Sequence, residues 1–300
     1  MRLYSEEKRR EKDLMSAADA ARRANEAKSE FLSCMSHDIR TPMNVIMGFT
    51  NIALQHADDP GKMKECLEKI QISGGNLQEL IDDVLDISRI ESGEFKIVSQ
   101  PVKLPELFDF YCQAIAGMAE AKNIRFSGKL HDISHNVLLS DQIRLGQIYM
   151  NLLSNAVKYT PENGDVKFEV YEEKLAESGK VRLVSVVSDT GIGMTPEFME
   201  QMYSAFSRAV DTRVNKVRGS GLGLAIVKKI IDLMGGAIEA ESKVGKGTTF
   251  HVTLDLPAAA DDAETEEHTE TVKHIPIIAL TANAYHEDIQ KCLAAGMNAH

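Results

Sequence analysis

His37 stands beside Asp38 in Ser36-His37-Asp38-Ile39-Arg40-Thr41-Pro42. A carboxylate next to an imidazole accepts one ring N–H, orients the ring and leaves the other nitrogen as a nucleophile. Three motifs further along supply what such a nucleophile would need to receive a phosphoryl group. The first is Asn151-Leu152-Leu153-Ser154-Asn155-Ala156-Val157-Lys158-Tyr159. Asn151 and Asn155 share one face of a predicted helix. Their amide oxygens suit Mg²⁺, which takes hard oxygen ligands alongside phosphates and waters, and Lys158 adds positive charge. The second is Asp189-Thr190-Gly191-Ile192-Gly193, just after a predicted strand. An acid there can accept a hydrogen bond from an exocyclic amine, while Gly191 and Gly193 allow close backbone approach. The third, Gly219-Ser220-Gly221-Leu222-Gly223-Leu224, opens a predicted helix whose N–H groups and dipole favour phosphate. Each motif alone is commonplace, since a glycine cluster is usually a turn and an Asn pair usually a solvated face. Their order behind a His-Asp helix carries the reading.

The helix under His37 has to present it. Met35, Ile39, Pro42, Ile46, Phe49 and Ala53 alternate by four and three and form one apolar stripe. His37, two residues from both Met35 and Ile39, falls on the opposite side. Residues 1–57 read as one helix, whose seam Leu14, Ala17, Ala21, Ala24, Lys28, Phe31, Met35 is heptad-like. The step from Phe31 to Met35 to Ile39 is four and four, a stutter on the turn that carries His37. After a turn at Asp58-Asp59-Pro60-Gly61, a second helix over 62–91 is predicted to pack through Met63, Leu67, Ile70, Gly74, Leu77, Ile81, Val84 and Ser88. A lone αα-hairpin cannot cover two such stripes. The expectation is a homodimer in which two hairpins form a four-helix bundle.

Downstream, Asn136–Ser140, Val166–Tyr171, Val181–Ser188, Ile238–Ser242 and Thr248–Leu256 read as strands. Residues 141–159, with Asp141 in the first turn, and Gly221–Met234 read as helices. The mixture predicts a layered α/β domain. The expected divisions are an N-terminal coiled-coil helix over 1–29, a helical hairpin over 30–95, an α/β domain over 96–257, an acidic linker over 258–273 and a short strand–helix segment over 274–300.

Composition narrows the function classes. A net charge of −11 argues against nucleic acid as a partner, and no apolar run approaches the ~18 residues of a membrane span. Cys34, Cys66, Cys112 and Cys292 are scattered without a Cys-x-x-Cys, so neither a zinc site nor a disulfide framework is expected. The start of the chain lacks the apolar segment of a signal peptide. A cytoplasmic setting is expected, free or as the cytoplasmic part of a longer membrane-attached sensor. His131 and His135 are four apart but have no third ligand in view, which makes metal binding an unfavoured reading.

Taken together the motifs resemble those of bacterial sensor histidine kinases. Phe31–Pro42 resembles the H box, Asn151–Tyr159 the N box, Asp189–Gly193 the G1 box and Gly219–Leu224 the G2 box. Phe198–Phe206 resembles the F box of the ATP lid, and Gly245-Lys246-Gly247-Thr248-Thr249-Phe250 a late glycine-threonine segment. The resemblance covers roughly residues 25–256. It implies a dimerisation and phosphotransfer hairpin followed by an ATP-binding α/β sandwich of the gyrase type, with ATP and Mg²⁺ as cofactors. His37 would be the phosphoacceptor and Asp38 its base and orienter. Asn155 would ligate Mg²⁺ with Asn151 in support, and Lys158 and Tyr159 would line the nucleotide site. Asp189, helped by Thr248, would read the adenine amine; Gly191, Gly193, Gly219, Gly221, Leu222 and Gly223 would complete the ATP cradle, with residues 194–220 as a lid. At Thr41 the family places a residue that positions water for dephosphorylating a partner; the plain alternative is a helix-interior threonine. The implied partner is the aspartate of a response-regulator receiver domain, acting in trans.

Ile275–His300 resembles the late strand and helix of a receiver domain, as in hybrid kinases, with Thr281 at the switch position. The phosphoacceptor aspartate and its neighbours have no counterpart, and so short a segment cannot bury a core. The expectation is a remnant that takes no phosphate. Two other classes stay open at this stage: a nucleotide-binding pseudokinase that only holds a partner, and a gyrase-like ATPase with no phosphohistidine. The His-Asp pair speaks against both.

Overall fold

Helix α1 (residues 35–55) and helix α2 (Pro60–Glu91) form the hairpin in a computed structural model that describes residue 22 and residues 35–131, 133–175, 179–204 and 221–259. The expected coiled-coil seam over 14–31, residues 260–273 of the expected acidic linker and the receiver-like tail lie outside the described residues. Asp59 is the N-cap of α2, its carboxylate accepting from the Gly61 and Lys62 amides, and Pro60 occupies the first turn where its missing N–H costs nothing. The predicted turn is therefore part connection and part helix start.

The hairpin packs as expected on α1 and differently on α2. Met35 and Ala53 are buried and Ile39, Pro42, Ile46 and Phe49 half-buried, so the α1 stripe faces inward. On α2 the inward row is Met63, Cys66, Ile70, Ser73, Leu77, Leu80, Val84 and Ile87. The predicted Met63, Ile70, Gly74, Leu77 and Val84 face inward, but Leu67, Ile81 and Ser88 are exposed. The expected four-helix bundle would cover these residues with a second hairpin, so a single chain leaves them open. On a helix with more than one apolar stripe, rows one residue apart are equally regular, and the small Cys66 and Ser73 suit the close approach to α1.

Beyond the hairpin come β1 (Gln100–Lys103), α3 (Leu104–Glu120), β2 (Arg125–Leu130), β3 (Val137–Ser140), α4 (Gln142–Tyr159), β4 (Asp165–Lys174), β5 (Lys180–Asp189), α5 (Pro196–Gln201), α6 (Gly223–Leu233), β6 (Ala237–Lys243) and β7 (Gly247–Pro257). A five-stranded sheet runs β2-β4-β5-β7-β6, with β2 parallel to β4 and the other pairs antiparallel. β1 and β3 form a separate antiparallel pair. Alternate residues Val166, Phe168 and Val170 of β4, Leu183 and Val187 of β5, and Val252 and Leu254 of β7 are buried. They meet Leu107, Phe108 and Ile115 of α3, Ile148, Leu152 and Leu153 of α4, and Ile226, Ile230 and Ile231 of α6 in one core. This is the two-layer α/β sandwich expected.

Asp141 is the N-cap of α4, one position before the helix, and accepts from the Arg144 amide. α6 begins at Gly223, two residues later than predicted. β1, α3, β2 and α5 were not anticipated. α3 shows why: its buried Leu104, Leu107, Phe108, Ile115 and Ala119 are helically spaced, but Phe110 and Met118 on the outer face blur the amphipathic contrast.

Candidate active site

His37 stands on α1 facing solvent, its side chain 78% exposed. Among the described residues its ring makes one hydrogen bond, from Nδ1 to the Asp38 carboxylate at 3.2 Å, which leaves Nε2 outward. Asp38 is far less exposed at 16%, so the carboxylate is the fixed member of the pair. Thr41, four residues on, donates its hydroxyl to the His37 carbonyl at 3.1 Å, the local bond of a helix-interior threonine.

The other motif residues converge around the C-terminal half of α4. Asn151 donates to the Gln147 carbonyl at 3.1 Å, and its Oδ1 lies so close to Gly223 that any Cβ there would collide with it. That contact joins α4 to the start of α6, and a side chain at 223 would have to displace the Asn151 amide. Asn155 is half-buried and its side-chain amide has no hydrogen bond to any described residue, so its amide oxygen is available to a ligand. Lys158 lies over the Tyr159 ring, 5.4 Å from its centroid. The Tyr159 carbonyl accepts from the Ile192 amide at 3.2 Å, and a Cβ at Gly191 would lie 2.7 Å from that carbonyl. The glycine motif after β5 thus sits directly on the last turn of α4.

Asp189 ends β5, paired in register with Thr248 of β7. Its Oδ1 accepts from the Gly191 amide at 2.7 Å and the Thr248 amide at 3.3 Å. Oδ2 has no partner among the described residues. Burial raises the carboxyl above the ordinary carboxylate range, with the Gly191 and Thr248 amides pulling it back. A carboxylate held at one oxygen and open at the other, in a half-buried site, can accept from an amine. Thr248 supports it by its amide, while its hydroxyl is shared with Ser242 at 2.9 Å. Gly221 has a φ of +72°, Leu222 is fully buried, and the N-terminus of α6 has no side-chain cap. Uncapped N–H groups at a helix start suit phosphate. Gly219, Ser220 and residues 205–218 of the expected lid lie outside the described residues.

No group of three His, Cys, Asp or Glu side chains able to hold a metal occurs among the described residues. A divalent ion here would rest on Asn155 together with a nucleotide's own phosphates and waters, and the unpartnered amide fits that arrangement. His131 and His135 face carboxylates instead of a metal: His131 contacts Glu169 at 2.9 Å and His135 contacts Glu172 at 2.7 Å.

The motifs left unread the polar joint between the hairpin and the α/β domain. Asp86 of α2 accepts from Gln147 at 2.7 Å and from Arg144 at 3.4 Å, and Arg144 also stacks over the Phe95 ring at 4.0 Å. Asp141 Oδ2 takes the Val98 amide at 2.9 Å. Gln147 and Arg144 lie one and two turns before Asn151, so the helix under the site is also the helix the hairpin grips. Only Asp141, as a helix-start acid, left a trace in the sequence.

Residues 27–93 match the His Kinase A (phospho-acceptor) domain, and residues 140–258 match the histidine kinase-, DNA gyrase B- and HSP90-like ATPase family. The chain is 37% identical over 248 residues to the sensor histidine kinase GacS of Pseudomonas protegens, covering 83% of this chain and 27% of GacS. It is also 37% identical over 243 residues to the signal transduction histidine-protein kinase BarA of Escherichia coli, covering 79% of this chain and 26% of BarA. The chain therefore spans about a quarter of the length of these relatives. Among solved structures, full-length ShkA in complex with AMPPNP superposes with a TM-score of 0.56 at 26% identity, over 90% of this chain and 55% of that one. Histidine kinase ThkA, solved in complex with the response regulator protein TrrA, gives 0.53 at 28% identity, over 75% and 61%. No helix among the described residues is long and apolar enough to cross a membrane.

Proposed function

We propose, from the premise that this chain joins a His Kinase A phospho-acceptor hairpin to an ATPase domain of the histidine kinase type, that it transfers the γ-phosphoryl group of ATP to His37. The observation that carries the reading is the His37–Asp38 pair, an exposed imidazole held at Nδ1 by a more sheltered carboxylate. In the neutral ring Nδ1–H donates to Asp38 and the Nε2 lone pair attacks the γ-phosphorus. The bond to the ADP oxygen breaks, and the proton on Nδ1 moves toward Asp38 as the ring acquires positive charge. Asp189 accepts from the adenine amine through Oδ2, and the start of α6 and Lys158 receive the phosphates. Mg²⁺, held by Asn155 with Asn151 behind it, would neutralise charge on the phosphate chain. Thr41 is proposed to orient water when a phosphorylated partner is hydrolysed.

The active form is proposed to be a homodimer. Outside the intrachain seam the hairpin exposes Met43, Met47, Leu54, Leu67, Ile72, Ile81 and Leu85, an apolar surface that a second hairpin would cover. The phosphoryl group is proposed to pass from His37 to an aspartate of a receiver domain, as the solved complex of ThkA with a response regulator supports. The segment 274–300 resembles only the late part of such a domain, in the manner of a hybrid kinase remnant, and carries no counterpart of the acceptor. A cytoplasmic setting is proposed with it.

Incubation with γ-labelled Mg-ATP tests the proposal. Wild type is expected to take label that is lost in acid and kept in base, and His37→Ala none. Equal labelling of both would refute it.

A further inference from the structure

Lys122 lies outside every motif read from the sequence, in the turn between α3 and β2. Its Nζ donates to the carbonyls of Val157 at 2.9 Å and Lys158 at 2.8 Å. These belong to the last turn of α4, where carbonyls lack intrahelical partners and the helix dipole favours a cation. Thr160 and Ile192 satisfy the neighbouring carbonyls: the Thr160 amide and hydroxyl reach Ala156, and the Ile192 amide reaches Tyr159.

The turn that carries Lys122 is itself fastened to the site. Asn123, in the left-handed region at φ 54°, accepts from the Asn163 amide at 2.8 Å. The Arg125 amide reaches Gly164 at 2.9 Å, and its guanidinium grips Asp165 through two bonds of 2.7 Å. Asp165 in turn exchanges bonds with Thr190: its amide donates to the hydroxyl at 2.8 Å, and its carbonyl accepts from the Thr190 amide at 3.0 Å. A continuous set of hydrogen bonds therefore runs from the α3–β2 turn to the residue between Asp189 and Gly191. Burial disfavours the charged form of Lys122, opposed by the nearby Glu162 carboxylate. A lysine that points inward at two main-chain carbonyls, against that desolvation, is placed to hold them.

We propose that Lys122 is a positioning residue for the nucleotide: it fixes the last turn of α4, and with it where Lys158 and Tyr159 stand against Gly191 and Ile192. The proposal rests on the nucleotide-binding reading above. In the full chain, AMPPNP affinity and the KM and kcat of autophosphorylation are measured for Lys122→Met, which keeps the stem, and Lys122→Arg, which keeps the charge. Lys122→Met is expected to raise the AMPPNP Kd and the KM for ATP about fivefold, with kcat within about twofold, and Lys122→Arg to restore most of the affinity. If Lys122→Met does not fold, Lys122→Gln, a neutral donor, carries the same expectation. A Lys122→Met or Lys122→Gln protein that melts earlier but keeps wild-type Kd and KM would overturn the proposal and leave the function standing. A wild type that binds no AMPPNP would overturn both.

Discussion

The hairpin and the α/β domain spend their apolar residues in different ways. In the α/β domain the alternating residues of β4, β5 and β7 meet three helices, and Phe168 of β4 and Tyr149 and Leu152 of α4 are all but inaccessible. In the hairpin the intrachain seam includes Cys66 and Ser73, while Leu54, Ile72 and Met47 remain mostly exposed. The first is a core that its own elements bury. The second leaves apolar side chains open, the surface that the proposed dimer would cover, and carries an exposed histidine. On the proposed function, positioning of ATP and presentation of the acceptor thus fall to separate parts.

The contrast can be broken most forcefully at Phe168. It stacks on Phe108 at 5.0 Å between centroids and contacts Tyr149 at 5.1 Å. Phe168→Ala is expected to cost about 3–5 kcal/mol, read by denaturant unfolding, and to remove nucleotide binding with it. Asp189→Asn should spare the fold and lower ATP-analogue affinity by about 10- to 100-fold, read by calorimetry.

Asp189 also predicts a pH dependence. Its carboxyl is raised by burial, so folded protein holds that proton at pH values where unfolded protein has lost it. Its contribution to stability is therefore less favourable once pH rises through the window from the ordinary carboxylate range to the raised value. Acceptance from the adenine amine needs the ionised form, so affinity should fall as pH drops through the raised value, at a higher pH than an ordinary carboxylate would give. Asp189→Asn should be weak and flat across that range.

A smaller effect belongs to the joint between the two regions. Asp86→Ala removes the acceptor that Gln147 and Arg144 share, leaving them bonded to each other at 2.9 Å, at an expected cost of about 1–2 kcal/mol. Scanning calorimetry should then show the hairpin and the α/β domain melting as separate transitions. The smallest thermal effect is expected for Leu67→Gln with Ile81→Gln, within about 0.5 kcal/mol for the isolated fold because both side chains are exposed. The same pair should convert dimer to monomer in sedimentation while nucleotide affinity is unchanged.

What could be read from the residues follows the same division. Strands β4, β5, β6 and β7 and the glycine motifs are legible because alternation and backbone approach constrain each position on its own, whereas β2, with no fully buried residue, carries no such signal. On α2 the two rows one residue apart, Cys66–Ser73–Leu80 and Leu67–Gly74–Ile81, fit a heptad equally well, and only the packing partner distinguishes them. Asn155 and Asp189, proposed to face the nucleotide, stand out in the sequence only through the order of the motifs that carry them. Lys122, Asp86 and Arg144 do not stand out, since a surface lysine, a helix aspartate and a helix arginine carry no local signal of the carbonyls and carboxylate they meet across 35 to 58 residues of chain.

Mapping the phosphoryl group tests the assignment most directly. After incubation with Mg-ATP, digestion at neutral to basic pH and mass spectrometry should find a single phosphate on the peptide that contains His37, removed by brief acid treatment. ATP consumption without a phosphopeptide, or an acid-stable phosphate on another residue, would contradict it.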